Sequence, residues 1–268
     1  MKKILFYSFV TMLIVSLSSC SKNDDEKNPV PEPAPKAPVL VSKITVTTDM
    51  PNKLANEVLE FSYDDNYRLK QAQWLRGEIL KYTYGTSAID LKVMKSNNPD
   101  YSGDYHFEIE NGHPVRLEVT ESNDNLKTDY SLEYSPDNYL QQITYVYDGR
   151  NTVEQLKWED GNLVAFKDDG GEYPFYRPST YLNDTNIDLS VITSGYINYV
   201  DLSYFSLIKQ LGKSSKNIME SVPTTLYDYQ YVYAVGTDGY MQNVVKKTTD
   251  RNAGKMYTTT YVIEYLNK

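Results

Sequence analysis

Apolar and polar side chains alternate along most of the chain from residue 41 onward. Runs such as 44–47 and 58–63 carry β-branched and aromatic residues, and clusters of Asp, Asn and Gly separate the runs. A period of two predicts half-buried β-strands, and the clusters are typical of turns. The pattern predicts about fourteen strands and an all-β domain over 39–268.

The strands recur as a two-strand unit. Segments 61–69, 132–140 and 156–164 each read apolar-x-aromatic, turn, apolar, and weaker copies occur elsewhere. A fixed period of this length indicates repeated supersecondary units. Because a hairpin cannot bury its apolar face alone, we expect one large antiparallel meander, closed or nearly closed into a barrel. The key positions of the copies, spaced by 21, 25, 25, 24 and 75 residues, are 63, 84, 109, 134, 158 and 233.

The repeat stops between 166 and 222, where the pattern predicts a loop over 168–178 and one short helix over 201–211. Asp201 is a suitable N-cap, Gly212 fits the C′ position, and Lys209 suits the last turn. The apolar positions of the helix fall on one face. These positions are Leu202, Phe205, Ile208 and Leu211. We expect this face to pack against the sheet.

The amino terminus has the pattern of an export signal. Lys2 and Lys3 precede an apolar stretch over 4–17, which is too short for a permanent membrane span and fits a cleaved signal. The run 17–20 ends in Cys20, the only cysteine, and resembles a bacterial lipoprotein signal. This predicts a signal peptide over 1–19 and attachment of Cys20 to outer-membrane lipid. The alternative is an ordinary signal peptide with a chance cysteine.

Residues 20–38 predict a tether. The acidic cluster over 21–26 resembles the surface-export signal of Bacteroidetes lipoproteins, although any solvated tether can be acidic. Alternating prolines over 29–38 favour an extended, semi-rigid spacer. We therefore expect an outer-membrane lipoprotein exposed on the cell surface, with a periplasm-facing location as the alternative.

Composition excludes some partners. The chain has a net charge of −9, and removal of the signal peptide makes this about −11. A nucleic-acid surface needs a basic patch, so nucleic acid is not an expected partner. Tyr occurs 26 times against 7 Phe and 2 Trp. Tyr favours strands and surfaces that are partly wet.

Together these features resemble a Bacteroidetes lipoprotein family of unknown function with a porin-like barrel fold. The matching elements are the tyrosine-rich hairpins of the 61–69 type, the stretch 212–217 after the helix, and the closing strand 261–265. The resemblance implies a barrel and supplies no catalytic or binding residue. An anchored protein on a spacer has no need to span the membrane itself. Because charged residues also interleave the strands, we expect a soluble barrel with its apolar face inward. The charged residues are Lys92, Glu118, Glu133 and Lys157.

Catalytic motifs are lacking in the sequence. His106, Glu108 and Glu110 share a strand face, but a solvated face explains them as well as a metal site does. The paired carboxylates 64–65, 159–160 and 168–169 fall in predicted turns, and His113 begins a turn exit. Neither a nucleophile elbow nor a nucleotide-binding glycine motif occurs. We therefore expect no enzyme activity, no cofactor and no metal.

Aromatic residues are the better candidate site. Tyr173, Phe175, Tyr176 and Tyr181 cluster in the non-repeat segment, and exposed rings can stack on sugars. Alternatively these rings pack the helix against the barrel, while Trp74 and Trp158 belong to the core. Three hypotheses follow. The first is a non-catalytic binding protein for a glycan or host polymer, the second a structural or assembly component of the envelope, and the third a glycoside hydrolase.

Overall fold

A computed structural model describes residues 39–51, 56–74, 77–122, 127–147, 149–168, 171–174, 176–182, 185–189, 204, 206–223 and 226–266. These residues form seventeen strands. The strands are β1 Leu40–Thr48, β2 Asn56–Tyr63, β3 Leu69–Trp74, β4 Glu78–Tyr84, β5 Ala88–Lys95, β6 Asn98–Glu110, β7 His113–Glu121, β8 Lys127–Tyr134, β9 Leu140–Tyr147, β10 Arg150–Glu159, β11 Asn162–Asp168, β12 Gly171–Pro174, β13 Tyr176–Leu182, β14 Asn217–Pro223, β15 Tyr227–Val235, β16 Met241–Asp250 and β17 Lys255–Leu266.

The strands make one antiparallel meander. Each strand pairs with the next from β1 to β12 and from β13 to β17. The last strand, β17, then pairs through residues 259–266 with the whole length of β1. Only residue 175 separates β12, which pairs with β11, from β13, which pairs with β14. Counted as one strand, these two segments make the sheet sixteen strands, and the predicted nearly closed meander is confirmed.

Alternate residues face a common core. In β5, Ile89, Leu91 and Val93 are buried, whereas Asp90 and Lys92 between them are exposed. Buried residues from β1 to β9 and from β14 to β17 join one hydrophobic cluster. The exposed positions of β5 to β8 carry ion pairs instead, as between Lys92 and Asp104 at 3.8 Å. For the strands described, the apolar face is therefore the packed one, as the sequence predicts.

β-Bulges follow several of the turns and shift the alternation. Leu69 and Ala72 are both buried although they are three residues apart, because the register slips at Ser62/Tyr63. Similar slips occur at Glu133/Tyr134 and at Lys157/Trp158. An extra residue in one strand increases the local twist, which helps a wide sheet to curl. The bulges sit beside the key positions of the sequence repeat.

Part of the connection between β13 and β14 fills the interior of the sheet. We call its described residues, 185–189, 204 and 206–216, the plug. Six apolar side chains of the plug belong to the same core as the strands. Tyr82 donates a hydrogen bond to the Tyr204 carbonyl at 2.8 Å, and the Tyr204 hydroxyl donates to Glu78 at 2.8 Å. Near the start of β1, the Val41 amide donates to Asn186 at 3.0 Å. Because β1 and β4 begin at opposite ends of the sheet, the plug contacts both ends.

The helix predicted for 201–211 does not extend over its whole range in the residues described. Tyr204, Ser206 and Leu207 are helical, but Ile208 and Lys209 form a turn. The Lys209 amide donates to the Ser206 carbonyl at 2.9 Å, and Lys209 takes a positive φ of 55°. Residues 201–203 and 205 lie outside the described chain. Apolar spacing of three and four suits a turn inside a core as well as a helix, which explains the error.

The stretch 212–217 ties the plug to two turns of the sheet. The Lys213 amide donates to the Asn138 carbonyl at 2.8 Å, and the Lys216 amide donates to Gly161 at 2.9 Å. Gly212 takes φ 78°, and an added Cβ would lie 2.7 Å from the Asn138 carbonyl oxygen. Gly212 is therefore required by close backbone contact and not by a helix end.

Among the described residues, no helix has both the length and the apolar character that crossing a membrane requires.

Candidate functional site

A polar groove lies on the exposed side of β8 to β12. Its volume is about 410 Å³, within the range of ligand sites. Five of its residues form a row across five strands, and each is opposite the next in register. In order from β8 to β12, the row is Glu133, Gln142, Gln155, Lys167 and Glu172. Gln142 is half-buried and the other four are exposed.

The fold positions this row through ordinary strand geometry. Side chains on the opposite face of the same strands, such as Leu132 and Ile143, are buried in the core. Burial of that face fixes the register, because a slip of one residue would turn the apolar set outward. Neighbouring strands are about 4.8 Å apart, so the row is roughly 19 Å long. Its polar groups therefore form a regular series across the sheet.

The charges of the groove balance. Two carboxylates, Glu133 and Glu172, accompany two amines, Lys157 and Lys167. The Lys157 amine lies 3.0 Å from the Glu159 carboxylate. A hydrogen bond and the negative charge of Glu159 raise the pKa of Lys157 above its usual value. The remaining polar contacts of the groove come from amide side chains, each of which both donates and accepts hydrogen bonds.

The predicted aromatic site borders this groove along the chain. Tyr173 lies in β12, next to Glu172 and opposite Phe166 of β11. Tyr176 and Tyr181 lie in β13, and Phe175 lies outside the described residues. No side-chain placement is described for Tyr173, Tyr176 or Tyr181, so their role as binding residues stays a prediction.

The loop predicted over 168–178 is wrong for the described part of that segment, which is strand. The two prolines there favoured a loop in the sequence. Pro174 instead ends β12, where the chain changes its pairing partner from β11 to β14, and Pro178 pairs with Met219 at an irregular point of the ladder. Proline is tolerated at such positions because no regular ladder bond is lost.

A second cavity lies between the plug and β9 to β11. Its volume is only about 60 Å³, and apolar side chains such as Leu140, Trp158 and Leu211 form most of its wall. Lys209, at its edge, donates to the Thr185 carbonyl at 2.7 Å. Space of this size suits a few water molecules and not a sugar. We regard this cavity as part of the packing of the plug.

The histidines and paired carboxylates do not converge. His106 contacts Asp90 at 2.6 Å on the exposed face, and the His113 ring packs against Tyr134. Asp64 accepts hydrogen bonds from the Asn66 and Arg68 amides within its own turn. Within the described part of the chain, no group of three His, Cys, Asp or Glu residues could hold a metal ion. Cys20, the predicted lipidation site, lies outside the described residues.

Sequence reasoning missed the groove because its residues are far apart in the chain. In the sequence, Lys157 and Glu133 argue only against a membrane-facing strand. The available signal was the recurrence of exposed polar residues just inside each repeat, as at Gln142 and Gln155. That signal becomes a row only when the register between strands is known.

The sequence itself matches no protein-family model and no curated protein. Solved structures are similar in fold. A porin-like protein from Bacteroides uniformis ATCC 8492 superposes with a TM-score of 0.59 at 15% identity, over 84% of this chain and 96% of that protein. A porin-like protein from Bacteroides vulgatus ATCC 8482 superposes with a TM-score of 0.57 at 11% identity, over 86% of this chain and its full length. The chain therefore has a porin-like β fold.

Proposed function

We propose that this protein is a lipid-anchored, non-catalytic binding protein of the cell surface and that it holds a glycan in the groove on β8 to β12. The groove is the single observation that carries the proposal. It is the larger of the two cavities described above, and it opens on the exposed face of the sheet.

The chemistry of the groove suits sugar hydroxyls. Gln142 and Gln155 lie opposite each other at the centre of the row. A hydroxyl both donates and accepts hydrogen bonds, and an amide side chain can accept from the hydroxyl and donate to it. Because the row crosses five strands, it offers contacts to a chain of sugars and not only to one unit.

Aromatic rings complete the proposed site. Sugars present apolar faces that stack on Tyr and Phe. Tyr173, Phe175, Tyr176 and Tyr181 follow Glu172 directly in the chain. We propose that these residues supply rings beside the polar row.

A lipid anchor at Cys20 would place the binding site at the cell surface. We propose that Cys20 is lipidated and that the acidic cluster over 21–26 directs the protein to the outer leaflet. Protease treatment of intact cells should then degrade the protein, and Cys20→Ser should release it from the membrane fraction. Protection in intact cells with degradation after lysis would indicate a periplasm-facing location.

A binding assay tests the site. The full chain, purified in detergent, should bind at least one polysaccharide on a glycan array. Gln155→Ala should weaken that binding by about three- to tenfold, the value of one hydrogen bond. Gln230→Ala is the matched control, since Gln230 is an exposed glutamine of β15 outside the groove. Failure of all glycans to bind, or equal binding by the Gln155 variant, would contradict the proposal.

A second function is favoured by a different surface. Val232 of β15 and Val262 of β17 are 54% and 42% exposed on the outer side of the sheet. Exposed apolar side chains are common where proteins bind one another. The protein could therefore be a structural or assembly component of the envelope. A reproducible crosslinked envelope protein, lost in a Val232→Ser and Val262→Ser double variant, would support this function over glycan binding.

A further inference from the structure

We infer that the groove selects an uncharged glycan and that the polymer lies across the strands of the sheet, along the row from Glu133 to Glu172. This inference rests on the proposed function of the groove as a glycan site. It adds the charge class of the ligand and the direction in which the ligand lies.

The charge of the groove argues for an uncharged ligand. Each amine of the groove has a carboxylate nearby. Lys157 contacts Glu159 at 3.0 Å, and Lys167 lies opposite Glu172 in register. An acidic sugar would have to compete with these carboxylates, which do not leave the site. It would also approach a chain whose net charge is −9. Long-range repulsion of this kind disfavours anionic partners.

The centre of the row carries the recognition. Gln142 and Gln155 face each other without a net charge. Bonds between amides and hydroxyls are neutral, and neutral hydrogen bonds are little affected by salt. Binding through this centre should therefore be insensitive to ionic strength.

The direction of the polymer follows from the spacing of the row. Along a strand, successive outward side chains are two residues and about 6.6 Å apart, whereas across the sheet they recur about every 4.8 Å. The five polar residues stand in register across β8 to β12, while Ala165, beside the row in β11, is a small buried residue without polar groups. The dense series of hydrogen-bonding groups therefore runs across the strands.

The test compares neutral and anionic polysaccharides on the full chain in detergent. Dextran, mannan and xylan are the neutral probes, and polygalacturonate and heparin are the anionic ones. We expect a neutral polymer to bind with less than a twofold change in affinity between about 50 mM and about 500 mM NaCl. Gln142→Ala and Gln155→Ala together should lower its affinity at least about tenfold, whereas Gln230→Ala, outside the groove, should change it less than about twofold.

The outcomes separate this inference from the proposed function. If only anionic polymers bind, if their affinity falls steeply with salt and if Lys167→Gln abolishes it, the groove is a glycan site and the inference is wrong. If no polysaccharide binds, both are wrong. If a neutral polymer binds but the double glutamine variant leaves its affinity unchanged, the polymer lies outside the groove, and both the proposed function of the groove and the inference are wrong.

Discussion

The indole nitrogen of Trp158 donates a hydrogen bond to the backbone carbonyl of Leu140 at 2.8 Å. Trp158 stands near the end of β10, and Leu140 is the first residue of β9, the preceding strand. Tyr84 of β4 has the same relation to Leu69 of β3, at 2.9 Å. Three more pairs repeat this contact, namely Tyr63 with Val41, Tyr233 with Met219 and Tyr265 with Met241. The aromatic residue near the end of each of these strands therefore bonds to the backbone at the start of the strand before it.

Tyr84→Phe should lower the free energy of unfolding by about 0.5–1.5 kcal/mol. The change keeps the ring and removes only the donor to the Leu69 carbonyl. Denaturant unfolding of the purified chain measures the effect. Tyr67→Phe is the control, because Tyr67 lies in the adjacent turn and is 47% exposed. Equal stability of the two variants would show that the hydroxyl contact has no energetic role.

Tyr134→Phe should raise the free energy of unfolding or leave it unchanged, in contrast to Tyr84→Phe. Tyr134 occupies the same position at the end of β8, but its buried hydroxyl has no hydrogen-bond partner among the described residues. An unsatisfied buried hydroxyl costs about 1–3 kcal/mol, so its removal should leave stability unchanged or raise it. The same unfolding assay compares it with Tyr84→Phe. A loss as large as that of the Tyr84 variant would mean that Tyr134 has a partner in solution.

Gly212→Ala should destabilise the protein more than Gly112→Ala. Both glycines have a positive φ, 78° and 82°, so both variants carry a left-handed strain of about 1–2 kcal/mol. A Cβ at position 112 meets nothing within 4 Å, whereas at 212 it meets Asn138 and the Tyr134 ring below 3.0 Å. The difference between the two variants isolates the contact between the plug and the sheet.

The effect of Gly212→Ala should be confined to the plug if the barrel folds without it. Hydrogen exchange then checks the amides of Lys213 and Lys216, which donate to turns of the sheet. Faster exchange at these two amides is expected, with unchanged exchange at the paired amides of β5 and β6. Faster exchange at the amides of all strands alike would mean that the plug is required for the whole sheet to fold.

Local patterns predict this fold better than they predict its site. The repeat around Tyr63, Tyr134 and Trp158 is visible in sequence because each copy places an aromatic residue at a strand end, beside a turn and a β-bulge. The helix predicted over 201–211 does not reach its predicted end, since Ile208 and Leu211 have helical spacing and are buried but lie in non-helical backbone. The groove was missed because Gln142 and Gln155 become neighbours only through the pairing of β9 with β10. Register is a tertiary property, and no local pattern encodes which polar residues will stand side by side.

Stability should fall as the pH rises from 10 toward 12. Burial raises the pKa of Tyr63 to about 12 and that of Tyr261 to about 12, from an ordinary value of 10.0. In this window the unfolded chain releases its phenolic protons while the folded chain keeps them. The unfolded state then binds fewer protons, so the free energy of unfolding falls with pH. The stabilisation from these groups is fully present below pH 10 and is lost as the pH passes through the folded value.

Tyr63→Phe tests this account directly. The variant lacks one hydroxyl whose pKa is raised by burial. Its free energy of unfolding should therefore fall less steeply above pH 10 than that of the wild type. A single group contributes at most about 1.4 kcal/mol per pH unit, which is measurable by denaturant unfolding at pH 9, 10, 11 and about 11.5. Lysines titrate in both proteins and cancel in the comparison. Parallel curves for the two proteins would mean that Tyr63 ionises alike in the folded and unfolded chains, against the burial of its ring beside Asn186.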